Sequence, residues 1–275
     1  SNNTAVGQIA LRANTTGANN TAIGQNSLYL NTTGTSNVAV GAQSMDANTT
    51  GDYNTAVGYD ALGGTTTSNS NTAVGYSAAL ANTTGANNTA LGSVALLANT
   101  TASNNTALGK SALQANTTGS ENTAVGANAL DSNQTGNNNT AIGYLALDKT
   151  TEDENVAVGN YTLRENLTGE YNTATGYQAL TKNTTADYNT AFGYKALQQN
   201  TTGESNTAVG AFALDACTIG HSNTAVGYLS LSGDVDGVRN TALGFHAGQA
   251  QNNADDNVWV GYQAGLSNTT GSYNT

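Results

Sequence analysis

The chain has 275 residues, with 32 glycines, no proline, 9% charged residues, 6% aromatics and a formal charge of −11. Large apolar side chains are too scarce for one or two conventional cores, and the acidic balance repels phosphate backbones and anionic lipid, which argues against nucleic acid as a partner. No apolar run is long enough to cross a bilayer, so no membrane insertion is expected, and the single cysteine, Cys217, cannot form an internal disulfide.

Read from the first residue onward, the chain repeats itself. An Asn recurs at Asn3, Asn20, Asn37, Asn54, Asn71, Asn88, Asn105, Asn122, Asn139, Asn155, Asn172, Asn189, Asn206, Asn223, Asn240, Asn257 and Asn274, always 17 residues apart except for the 16 between Asn139 and Asn155. The consensus is N-T-A-V-G-Y-x-A-L-x-x-N-T-T-G-x-x, numbered here as coil positions 1 to 17. The short interval lacks the usual Thr-Gly, which predicts a distorted turn at residues 150–154. The chain starts and stops in mid-repeat, so residues 1–275 are expected to be a single repetitive segment, an excised piece of something longer.

A unit of 17 is too short for a helical hairpin, and a Gly five residues in would break a helix in every copy. Thr-Ala-Val suits a strand, Ala-Leu is expected to form a second short extended piece, and Thr-Gly supplies the return turn. The predicted fold is therefore all-β, a parallel β-solenoid (β-roll) of about sixteen coils. At the strand spacing of about 4.8 Å such a stack would be roughly 75–80 Å long.

Stacking places like on like, so the position-1 asparagines form an amide ladder in which each side chain donates to and accepts from its neighbours. In a strand, the adjacent Ala and Val must face opposite ways. One face lines a thin coil; the other, a Val stripe with a Leu stripe beside it, exposes more apolar surface than a soluble monomer tolerates. Packing of copies around a fibre axis, most naturally three, is the economical answer. A monomer with a coil wide enough to enclose both stripes is the alternative.

The segments "NTAVGYSAAL", "NTATGYQAL" and "VGYQAGLSNTTGSYNT" resemble the Asn-Thr-rich repeat shafts of phage tail-fibre-like proteins, and N-T-A-V-G resembles the S-V-A-I-G element in the heads of trimeric autotransporter adhesins. The resemblance implies a left-handed β-roll, a homotrimer, and an extracellular, cell-surface or virion-surface fibre acting in attachment, with a cell-surface glycan or receptor as a partner.

Candidate chemistry is sparse. Asp234, Asp236, Asp255 and Asp256 fall in turns of successive coils and are calcium candidates, although the spacing matches no complete calcium loop and a solvated acidic edge is the simpler account. Tyr59, Tyr76, Tyr144, Tyr177, Tyr194, Tyr228 and Tyr262 follow the position-5 Gly, with Phe245 in the same place; they could stack on sugars or a receptor, while packing explains them more simply. In the return corner, Asn-x-Thr sequons begin at Asn14, Asn31, Asn48, Asn82, Asn99, Asn116, Asn133, Asn166, Asn183, Asn200 and Asn268; glycans about 5 Å apart would crowd, so a turn-and-ladder role is preferred. His221 and His246 share no spacing with Cys217, which takes a ladder place usually held by Asn. Catalysis needs a singular constellation and no cofactor is implied, so no enzyme is expected. The expected function is a rigid fibre shaft and repeated interaction surface. The alternatives are a self-assembling extracellular filament joined end to end, an ice-binding solenoid, and a polysaccharide-active fibre.

Overall fold

The structure, a computed structural model, describes residues 2–275. Each coil contributes one three-residue strand, from β1 (Thr4–Val6) through β8 (Thr123–Val125) in one compact unit, Ser1–Asn138, and from β9 (Thr140–Ile142) through β16 (Val258–Val260) in a second, Asn139–Thr275. Sixteen parallel strands make a β-solenoid of about fifteen turns, and no described residue is helical. Within each unit successive strands pair in register, Thr on Thr and Ala on Ala, as in Thr4↔Thr21 and Ala5↔Ala22.

The position-3 Ala points inward and is buried from Ala22 to Ala242, while positions 2 and 4 point outward. Position 5 is Gly for two reasons: its φ lies near +140°, and a Cβ on Gly109 would sit 2.5 Å from the carbonyl oxygen of Gly126 in the next coil. Only a residue without a Cβ allows the coils to approach this closely.

The expected second extended piece does not exist. Positions 6 to 11 form a turn in which positions 7 and 9 adopt left-handed φ, for example Asn26 at 59° and Leu28 at 48°. Left-handed backbone costs a non-glycine residue roughly 1–2 kcal/mol. Stacking offsets it, because this segment is hydrogen-bonded between coils: Asn26 N donates to Gln8 O at 3.1 Å and Leu28 N to Ser44 O at 3.0 Å. The twist also turns the Leu inward. The Leu stripe is thus not exposed: Leu28, Leu62, Leu96 and their counterparts are fully buried, each contributing about 1.5–3 kcal/mol, and together with Ala at positions 3 and 8 they fill the narrow interior.

The short coil keeps its frame. Thr150 remains buried at position 12 and Glu154 retains the left-handed φ (59°) of position 17, so the missing residue is absorbed between them. Asn139 Nδ2 donates to Glu152 O at 2.7 Å, in place of the Gly, Ala or Ser carbonyl used in other coils.

Near the end of the chain the interior changes composition but not fill. Trp259 stands where other coils have Ala, and the adjacent position-9 residues are Gly248 and Gly265 rather than Leu. A Cβ on Gly248 would lie 2.7 Å from the Trp259 ring, and one on Gly265 would collide with it, so the indole occupies the space that Leu side chains fill elsewhere. Its Nε1 donates to Gln251 Oε1 at 2.7 Å.

Candidate functional site

Two asparagine columns run through the interior corner of the coils. At position 1, the backbone N–H of each Asn donates to Oδ1 of the Asn one coil earlier, and its Nδ2 donates to the position-15 carbonyl of its own coil: Asn37 N to Asn20 Oδ1 at 2.9 Å and Asn37 Nδ2 to Gly51 O at 2.7 Å. The side chain therefore accepts between coils and donates mainly within one, a division that the sequence-based picture of side chain bonding to side chain misses. At position 12 the amides do pair directly, as Asn48 Nδ2 to Asn31 Oδ1 at 2.8 Å. Both columns are buried, and each amide answers a polar group that would otherwise be unsatisfied. From Asn31 to Asn200 the sequon asparagines belong to this second column, with their amides inside the coil.

The position-12 column is broken singly by Thr65 and Thr150 and, over three successive coils, by Cys217, Asp234 and Gln251. Cys217 is buried and its thiol is pushed up to about 12, by burial first and the Asp234 charge second. It offers no amide donor, and Asn200 Oδ1 is left buried without a hydrogen bond. Asp234 is also fully buried; it accepts from Gly237 N (3.0 Å), Asn240 Nδ2 (3.1 Å), Gln251 Nε2 (3.2 Å) and Asn253 N (3.2 Å), yet burial still raises its carboxyl above the ordinary value.

The four aspartates proposed for calcium do not converge. Asp234 is inside the coil, Asp236 accepts from Thr218 Oγ1 (3.0 Å), Asp255 accepts from Val238 N (2.8 Å), and Asp256 is paired with Arg239, whose hydrogen bond lowers its carboxyl. Among the described residues no group of three or more His, Cys, Asp or Glu side chains is placed to hold a metal ion.

Tyr59 and Tyr76 stack on one another, with centroids 5.7 Å apart. In the second unit the row is unbroken. Tyr144, Tyr161, Tyr177, Tyr194, Phe212, Tyr228, Phe245 and Tyr262 follow one another in eight successive coils, with centroids 5.1–6.3 Å apart. Tyr161 and Phe212 stand at position 7, and it is they that bridge the coils lacking an aromatic at position 6, a continuity that scanning position 6 alone overlooks. The position-6 neighbours lie 8–22° from parallel, so they cover one another's faces and present edges outward. Stacking of a sugar on a ring needs an open face.

His221 Nδ1 lies 3.3 Å from Ser222 Oγ, and the ring lines a cleft of about 330 Å³ with Glu204 and Ser205; His246 packs on Phe245 and contacts Gln249. A second cleft, of about 430 Å³, is lined by Arg164, Glu165, Thr181, Lys182, Thr184 and Thr201. Thr184 and Thr201 there already donate their hydroxyls to backbone carbonyls, and Lys149 is paired with Glu165.

A regular surface runs along the outer face of the strands. Its two columns hold only Thr or Val at position 2, and at position 4 Val, Ile or Leu except for Thr175 and Phe192. No charge falls on it in any of the sixteen coils, although the chain has 25 charged residues elsewhere. Ile23 (39% exposed), Leu108 (45%) and Leu243 (49%), all on internal strands, show how open the position-4 column is.

No protein-family model matches the chain, and no curated protein matches it. No described helix is long and apolar enough to cross a membrane.

Proposed function

We propose that the chain is the structural shaft of an extracellular, cell-surface or virion-surface fibre, acting in attachment as a rigid spacer and associating through its strand faces as a homotrimer, with left-handed coils. The supporting observation is the uncharged, largely aliphatic outer face repeated in every coil of a chain whose net charge is −11. Elsewhere on the coil, approaching copies would bring carboxylates together; here they bury apolar surface without like-charge opposition. The role is mechanical rather than catalytic, because inter-coil backbone bonds and asparagine columns make each coil a template for the next. Light scattering on the native particle tests it: the expected mass is about 83 kDa, three times the 27.7 kDa chain. A monomer mass with concentration-independent unfolding overturns the assembly. An open-ended series of masses indicates the filament instead.

A second reading, ice binding, is favoured by one observation. Position 2 is Thr in thirteen of sixteen coils, and the parallel strand pairing sets these side chains outward in register. Such a column can order water only if it is uncovered, so thermal hysteresis by a monomeric particle would support ice binding and its absence would remove it.

A further inference from the structure

We propose that Phe192 fixes the register in which copies of this chain pack, acting as the anchor of the strand-face interface. The inference rests on the self-association proposed above. A repeating face specifies position across itself well and position along itself poorly. Slipping one copy by a single coil, about 4.8 Å, sets Thr against Thr and an aliphatic side chain against another, so neighbouring registers are nearly equal in energy. Repetitive interfaces escape this degeneracy with an exceptional residue, as a single polar side chain does in a coiled-coil seam.

The position-4 column contains one such exception of size and one of polarity, and they are neighbours. Phe192 is the only aromatic residue at positions 2 and 4, and Thr175 the only hydroxyl at position 4. They are register partners on β11 (Thr173–Thr175) and β12 (Thr190–Phe192), and Val209 on β13 (Thr207–Val209) follows Phe192. Phe192 is 58% exposed, on the fourth of the eight strands of its unit, where a docking copy would desolvate it most fully. The face around it is uncharged, which favours a second copy of this anionic chain over a charged partner. In a parallel, unslipped assembly the Phe192 rings meet one another and the Thr175 hydroxyls do likewise. A slip of one coil sets the ring over Thr175 and buries that hydroxyl without a partner.

The test uses the full chain carrying Val209→Cys, one coil beyond Phe192 in the same column, oxidised and run on a non-reducing denaturing gel. Cys217 is buried with a thiol pushed up to about 12, so it does not compete. The expected result is efficient cross-linking between the introduced thiols of two copies, and a several-fold lower yield when Phe192→Val or Phe192→Leu is added, with circular dichroism and native mass unchanged. An unchanged yield in both variants overturns the register role and leaves self-association standing. So does an associated particle in which Val209→Cys alone fails to cross-link. A monomeric native mass, read first, overturns both readings together.

Discussion

Residues 1–138 and 139–275 are built from the same strand, the same Ala-Ala-Leu interior and the same asparagine columns, yet their surfaces and irregularities differ sharply. The first unit has five acidic and two basic residues, the second thirteen and five. The second also contains the short coil, a three-coil interruption at Cys217, Asp234 and Gln251 where the first has the single Thr65, the Trp259 plug and the unbroken aromatic row. Outward positions other than 2 and 4 therefore vary freely between the units, whereas an interior departure in one coil is answered in the coils beside it. Trp259 is answered by Gly248 and Gly265; Cys217, which is not fully answered, leaves an orphaned acceptor on Asn200.

The comparison can be broken most strongly where the two units are identical. Gly109→Ala in the first unit and Gly193→Ala in the second should each destabilise by about 2–4 kcal/mol, because the added methyl meets the next coil's carbonyl at 2.5 Å in both. Gly261→Ala, with nothing within 4 Å, should show only the conformational cost of about 1 kcal/mol. Denaturant unfolding of the three variants checks the ranking; equal losses at all three would show that φ alone matters. Trp259→Ala should cost about 2–4 kcal/mol by emptying the interior, and adding Gly248→Leu should recover part of that, as the consensus pairing would. Additive rather than compensating effects in this double-mutant cycle would refute the exchange of volume.

At the interrupted column, Cys217→Asn with Asp234→Asn should stabilise the second unit by about 1–2 kcal/mol by restoring a donor for Asn200. A pH signature accompanies it. Burial raises the Asp234 carboxyl, so its ionised form opposes folding: wild-type stability is lower above the folded-state pKa, rises as pH falls through it, and levels off once the unfolded chain is protonated too. Other raised carboxyls share this trend, but Asp234→Asn should remove its own part. Melting curves of wild type and variant that stay parallel from neutral to acid pH would contradict the assignment. The smallest effect is at the surface. Tyr177→Ala, which loses ring partners on both sides, should cost about 0.5–1.5 kcal/mol, and Tyr76→Ala, with one partner, less.

Much of the fold was legible in one period. The Asn interval located each coil, Thr-Ala-Val located each strand, and the adjacent Ala and Val required one face turned in and one turned out. Ala-Leu was misread because a left-handed Leu is unfavourable locally and persists only through hydrogen bonds to other coils, which no single repeat displays. The Trp259 exchange was hidden for a related reason: its partners lie eleven residues before and six after it, at another coil position. Of the candidate sites, the seven tyrosines were visible as a column, but the bridging roles of Tyr161 and Phe212 depend on how positions 6 and 7 share one corner. The acidic turns looked alike in sequence, and only folding separates the buried Asp234 from the exposed pair of Asp256 and Arg239.

The buried position-12 column bears on where this chain can be made. Oligosaccharide transfer modifies Asn-x-Thr before a chain has folded, and an amide carrying a glycan can neither fit inside a coil nor complete its hydrogen bonds to the coils beside it. Each such transfer would leave one coil unable to close and interrupt the template for its neighbours. The sequence is thus suited to synthesis where N-glycosylation does not operate, and a glycosylating secretory host would yield chains that fail in proportion to the position-12 sequons modified.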